Sequence, residues 1–112
     1  MDNHSRTRGN NSVATLKDTL EHLLMGYAGK ALNGCSYLTS SADQQVFAIV
    51  SVGHVRGQHI VDTGLVVRLN NDRIVIERDL NDKPLVDALV QAGVPRAQIV
   101  LAYAGESVEE AA

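Results

Sequence analysis

Two histidines, His54 and His59, are the side chains in this sequence best suited to bind a metal ion, and they lie five positions apart. On one uninterrupted strand they would face opposite sides and could not share an ion. A turn at Gly57 would instead place them on opposite strands of a hairpin, with Asp62 nearby. No cysteine completes the set, so we interpret the histidines as solvated hairpin residues and predict neither a metal nor a cofactor.

Patterns typical of nucleophilic catalysis are missing from the sequence. Ser51 stands in a V-S-V run, which places it outward on a strand, and not in a G-x-S-x-G turn. Cys35 is the single cysteine, which excludes an intrachain disulfide and favours a role as a small buried side chain. The carboxylates Glu77, Asp79 and Asp82 precede a predicted helix, where helix capping is their simplest role. We predict no catalytic residue and no enzyme; a metal-dependent hydrolase is the least favoured alternative.

The composition is that of one small globular domain. The chain has 112 residues, of which 45% are hydrophobic, and a formal net charge of −3. Autonomous duplex-DNA binders usually carry a basic stripe, so this charge disfavours direct DNA binding as the sole activity. The sequence contains neither a signal-like apolar segment near Met1 nor a run of ~18 apolar residues. We therefore expect a cytoplasmic protein with no membrane segment.

The first half of the chain predicts a helix followed by an antiparallel meander. Ser12 is a credible N-cap, and Gly29 or Gly34 could end the helix. Residues 35–39, 45–52, 60–69 and 73–78 are rich in strand-forming types, with a hairpin turn at 70–72. Apolar residues recur after Ser12 at the three- and four-residue steps of a helix face: Val13, Leu16, Leu20, Leu23, Leu24 and Tyr27.

The last third predicts a second helix and a short extended segment. Asn81 or Asp82 could cap the helix, with Pro84 in its first turn, and A-G-V-P at 92–95 would close it. Residues 99–103 are a fifth strand or a buried extended stretch. The predicted class is α+β, with a flexible N-terminal arm at 1–11, one domain at 12–104 and an acidic tail at 105–112. The helical apolar positions are Leu85, Val86, Leu89 and Val90.

Several segments of the chain together suggest a relationship. They are V-S-V-G at 50–53, G-L-V-V at 64–67, R-I-V-I-E-R-D at 73–79 and, above all, the stretch 89–103 with its G-V-P turn and I-V-L-A-Y ending. From Tyr37 to Tyr103 the chain resembles the XisI family, small proteins described as controlling factors for excision of the fdxN element in cyanobacteria. The end of the first helix, G-Y-A at 26–28, is also similar to the family's L-L-x-x-Y-A.

The chain departs from the family pattern at polar positions, so we identify it as a divergent member. It has His54 where members usually carry tryptophan, R-L-N at 68–70 in place of a His-Ile-Asp run, and D-L-N-D at 79–82 in place of D-G-T-E. The resemblance implies a non-enzymatic accessory protein that works with XisH, an endonuclease-like partner, in controlling a DNA rearrangement.

We expect binding surfaces on the predicted sheet. The strand at 35–39 could be an open edge that a XisH-like protein, or a second copy in a homodimer, extends by pairing. Nucleic acid would then be reached through the partner. The alternative is a DNA-contacting factor that uses arginines at a hairpin tip and along one strand face. The candidate contact residues are His54, Arg56, His59, Arg68, Arg73, Arg78 and Asp79, the last a loose match to the family pattern.

Overall fold

A computed structural model describes residues 13–108 of the chain and confirms the α+β class. Two helices pack on one face of a six-stranded sheet, whereas the sequence predicts about four strands and a fifth extended stretch. In chain order the elements are α1 (Val13–Met25), β1 (Gly29–Ala31), β2 (Gly34–Ser40), β3 (Val46–Val55), β4 (Gln58–Asn70), β5 (Arg73–Asp79), α2 (Leu85–Gln91) and β6 (Ile99–Leu101).

Helix α1 forms because its leucines fall on one face, and it ends earlier than predicted. Leu16, Leu20 and Leu24, four residues apart, are all buried. The helix stops at Met25 and not at Gly29, which has a φ of 136° and begins β1. A positive φ of this size is incompatible with a helix and is adopted mainly by glycine. The predicted Ser12 cap and the predicted N-terminal arm at 1–11 lie outside the described residues.

The sheet follows chain order from β1 to β6, so most neighbours are connected by short turns. All neighbouring strands are antiparallel except β5 and β6, which are parallel. Asn71, in the predicted turn between β4 and β5, has a φ of 57°, the left-handed conformation that asparagine tolerates. The helices cover the inner face, where the core contains Phe47, Ile49, Leu65, Val67, Leu69, Ile74 and Ile76.

The start of α2 is held by a residue other than the two predicted caps. Pro84 is the N-cap and offers no side-chain acceptor. Asp79, at the end of β5, supplies a side-chain acceptor instead, since its Oδ2 accepts from the Leu85 backbone N–H at 2.7 Å. Its Oδ1 accepts from the backbone N–H and the side-chain amide of Asn81, at 3.0 and 2.8 Å. The prediction that Asn81 or Asp82 caps this helix is therefore wrong.

The end of α2 confirms the predicted glycine-proline corner. Gly93 has a φ of 102°, and its N–H donates to Val90 O at 3.0 Å. The N–H of Val94 donates to Leu89 O at 3.0 Å, which completes a Schellman motif. Val94 is buried and anchors the turn in the core. After the turn the chain continues into β6.

The chain stays attached to the domain into the predicted acidic tail. Glu106 Oε1 accepts from the Leu101 backbone N–H at 2.8 Å, and its Oε2 accepts from Arg96 at 2.9 Å. The predicted boundaries at 11/12 and 104/105 stay predictions, as does the cytoplasmic location. Over residues 13–108, the chain has no helix with the length and apolar character needed to cross a membrane.

Candidate protein-interaction site

The hairpin of β3 and β4 extends beyond the part of the sheet that the helices cover. We call residues 51–62 the arm; they contribute no residue to the buried core. Its turn is Arg56-Gly57, with φ values of 53° and 80°, as a tight two-residue hairpin requires. The predicted turn at Gly57 is thus confirmed, and it pairs His54 directly with His59.

The two histidines form a side-by-side pair on the surface of the arm. Their ring centroids lie 5.2 Å apart with the planes tilted by 59°, and both side chains are exposed. Asp62 pairs with Ser51 and so lies on the opposite face of the hairpin. Among the described residues, no group of three His, Cys, Asp or Glu side chains is placed to hold a metal ion.

Beside the histidines, the outer face of the sheet carries a square of uncharged residues. The register aligns three rows across β2, β3 and β4, and Tyr37 and Val61 in them are 52% and 60% exposed. Hydrogen bonding with Cys35 raises the pKa of Tyr37. We call this set the outer patch: Cys35, Val52 and Val61; Tyr37, Val50 and Thr63; Thr39, Ala48 and Val66.

One edge of the sheet is partly open beside the outer patch. The short strand β1 pairs with residues 34–36 of β2 and leaves residues 37–40 without a strand on that side. The prediction that the strand at 35–39 is an open edge is therefore correct only for its second half. The three residues of β1 were not predicted because a G-K-A tripeptide shows no strand alternation.

The candidate arginines divide into one at the arm tip and three on the outer face. Arg56 occupies the turn, while Arg68, Arg73 and Arg78 are paired with Val75, Asn70 and Val66 in register. At ~3.3 Å per residue along β4, the tip lies roughly 30 Å from Arg68. The three strand arginines thus share a face, which is the arrangement that the DNA-contacting alternative needs.

Acidic neighbours offset two of these three charges. Arg68 Nε lies 2.6 Å from a Glu77 carboxylate oxygen, and Arg73 Nη1 lies 3.0 Å from Asp72 Oδ1. Arg78 is exposed and has no ion pair among the described residues. The Asp79 carboxylate already accepts hydrogen bonds from Asn81 and from the Leu85 N–H at the start of α2. The outer face therefore presents a mixed-charge end and a neutral patch, and not a continuous basic stripe.

The topology and the G-V-P corner can be compared with known proteins. The family model described as XisI protein matches residues 11–112. This chain belongs to the XisI family. A XisI-like protein from Anabaena variabilis ATCC 29413 superposes with a TM-score of 0.68 at 22% identity, over 79% of this chain and 84% of that one. No curated protein is significantly similar.

A second XisI-family structure has the same fold. It is the fdxN element excision controlling factor XisI from the same organism, with a TM-score of 0.64 and 16% identity over 90% of this chain and 98% of that one. The match confirms the resemblance seen in the sequence. At these identities the two structures establish a shared fold and assign no role to individual residues of this chain.

Sequence reasoning about this XisI-family member missed the outer patch and misplaced Ser51. Ser51 faces the inner side, where its hydroxyl lies 2.7 Å from that of Ser36. The strand V-F-A-I-V-S-V is apolar at both parities, so alternation alone does not reveal which face is covered. The hairpin register would have located the β3 and β4 residues of the first two rows, because the Arg56-Gly57 turn fixes every cross-strand pair as far as the bulge between Ile49 and Val50.

Proposed function

We propose that this protein is a non-enzymatic accessory subunit that acts through a protein partner, a XisH-like protein, in the control of DNA element excision. Membership of the XisI family supports the general role. The observation that carries the partner-binding part is the outer patch, nine uncharged residues on an exposed sheet face. Solvated sheet faces normally carry polar and charged residues, so a neutral face of this kind is typical of an interaction surface.

The position of the outer patch also suits a partner better than it suits nucleic acid. It lies between the histidine pair and the Arg68–Glu77 ion pair, so a partner would bury an apolar centre with a polar rim. The edge of β2 at residues 37–40 adjoins it and offers backbone groups for a further strand. A homodimer through the same surface is the other protein complex that this arrangement favours.

Co-purification with the XisH-like protein tests the proposal. We expect the two chains to elute as one complex in size-exclusion chromatography with light scattering. Val61→Lys places a charge in the patch and should weaken the complex at least about tenfold, as for a central interface residue. Leu80→Lys is the matched control, because Leu80 is 62% exposed and Val61 is 60% exposed.

Two results would count against the proposal. A chain that stays monomeric and does not bind the XisH-like protein has no such interface. Equal effects of the two lysine variants would place the interface elsewhere. A mobility shift of the isolated chain on duplex DNA that disappears between ~50 and ~200 mM salt would instead support the DNA-contacting alternative.

A further inference from the structure

A small cleft lies on the inner face of the arm, next to the end of the helix-covered core. Its volume is about 210 Å³. Pockets for whole small-molecule ligands usually measure ~300–1,000 Å³, so this cleft has room for a group the size of one side chain. Its floor consists of two rows of cross-strand neighbours: Gly34, Gly53 and Ile60, and beside them Ser36, Ser51 and Asp62.

The glycines in the first row allow two neighbouring strands to approach each other closely. A Cβ atom at Gly34 would lie 2.1 Å from Val52 O, and one at Gly53 would lie 2.6 Å from Asn33 O. Real Cβ atoms do not approach backbone atoms so closely, so only glycine fits at either position. Both glycines line the cleft with backbone atoms alone, and Ile60 supplies an apolar wall next to them.

The second row brings two hydroxyls and one carboxylate to one end of an otherwise apolar cleft. The hydroxyls of Ser36 and Ser51 are half-buried and hydrogen-bonded to each other, which leaves lone pairs on both oxygens able to accept. Asp62 continues the row, and within residues 13–108 its carboxylate has no hydrogen bond or ion pair. Among the described residues, it is also the only one that brings a carboxylate to the lining of the cleft.

We propose that this cleft receives a basic side chain, arginine or lysine, from the protein partner. The aliphatic stem would lie along the glycine floor and Ile60, as such stems commonly do on apolar surfaces. The cationic head would donate to the Asp62 carboxylate and to the serine hydroxyls. Basic side chains inserted in pockets are frequent anchors of protein interfaces. Only the source of this side chain, the protein partner, rests on the proposed function.

An NMR titration of the full-length protein tests the chemistry without any partner. The probe is N-acetyl-arginine N-methylamide, and its neutral control is the citrulline analogue. We expect amide shifts confined to the second row and the glycines, with little response to citrulline. Asp62→Asn should raise the dissociation constant about three- to fivefold, the scale of an exposed ion pair. Asp82→Asn removes an exposed carboxylate outside the cleft and should change nothing.

Four outcomes would overturn the inference. Shifts scattered over the surface, or equal binding of the citrulline analogue, would show that the cleft does not select a cation. Equal effects of the two Asn variants would show that Asp62 is not the partner. If the arginine probe binds but Asp62→Asn leaves capture of the XisH-like protein unchanged, the side chain does not come from that protein. These results are independent of the comparison between Val61→Lys and Leu80→Lys, which tests the proposed function separately.

Discussion

Removing the Asp79 carboxylate should destabilise the domain more than removing either predicted helix cap. Asp79 Oδ2 satisfies the N–H of Leu85, at a helix start where Pro84 has no side chain able to cap. Loss of a cap costs ~1 kcal/mol, and each lost hydrogen bond to Asn81 costs about as much. One side chain makes all three bonds and lies half-buried, so the terms do not add fully. We expect Asp79→Ala to lower the free energy of unfolding by about 2 kcal/mol.

Urea denaturation followed by circular dichroism measures this difference. For a domain of this size, ~2 kcal/mol also corresponds to a fall of about 10 °C in the melting temperature. The matched control is Asp82→Ala, because Asp82 is exposed and the sequence alone favoured it as a cap. We expect that control to change stability by less than ~0.5 kcal/mol. If both variants lose the same stability, or Asp79→Ala loses none, the assignment of the cap to Asp79 is wrong.

Two further substitutions test the tail and the contact between β2 and β3. Hydrogen bonds from the Leu101 N–H and from Arg96 lower the pKa of Glu106. Glu106→Gln should therefore lower the melting temperature above the ordinary carboxyl pKa of ~4.3, with the difference disappearing as the pH falls through the lower folded value; a difference that persists in acid contradicts this. Gly34→Ala should cost about 1–3 kcal/mol in the same denaturation assay, because the added Cβ meets the Val52 carbonyl. Gly64→Ala is the control and should be nearly neutral, because its Cβ would lie 3.9 Å from Asp62 Oδ2, an ordinary contact distance.

The elements that the sequence predicts well are those specified by neighbouring residues. The leucine face of α1 has a helical period, and the Gly93-Val94 corner follows from local turn chemistry. Two of the hairpin turns, at 56–57 and 71–72, also occur where glycine or asparagine permits a positive φ. These signals act over a few residues, so no knowledge of the tertiary fold is needed to read them.

The features that the sequence does not reveal depend on which segments meet in space. The three residues of β6 pair in parallel with β5, a choice made by the path of α2 and the corner after it. Asp79 caps a helix that begins six residues later, beyond the range of ordinary capping patterns. The face of Ser51 is likewise set by the core that Phe47 and Ile49 share with the leucines of α1, since the strand itself is apolar on both faces.

The candidate site combines predicted and unpredicted parts for the same reason. The pairing of His54 with His59 follows from the turn at Gly57, so the sequence could predict it. The cleft requires the register of three strands together, because Ser36 comes from β2 and Asp62 from β4. No pattern within either strand indicates that the two side chains lie in one row.

Stability and binding are expected to separate along this sheet. Every buried core residue lies outside residues 51–62, so the arm gains little from the burial that stabilises the rest of the domain. A hairpin is only marginally stable by itself, and here β2 supports just one side of it. Exposed valines in such a segment gain most when another surface covers them. Substitutions at Val61, where the outer patch reaches into the arm, should therefore alter partner affinity while changing the free energy of unfolding little, the reverse of what we expect at Asp79.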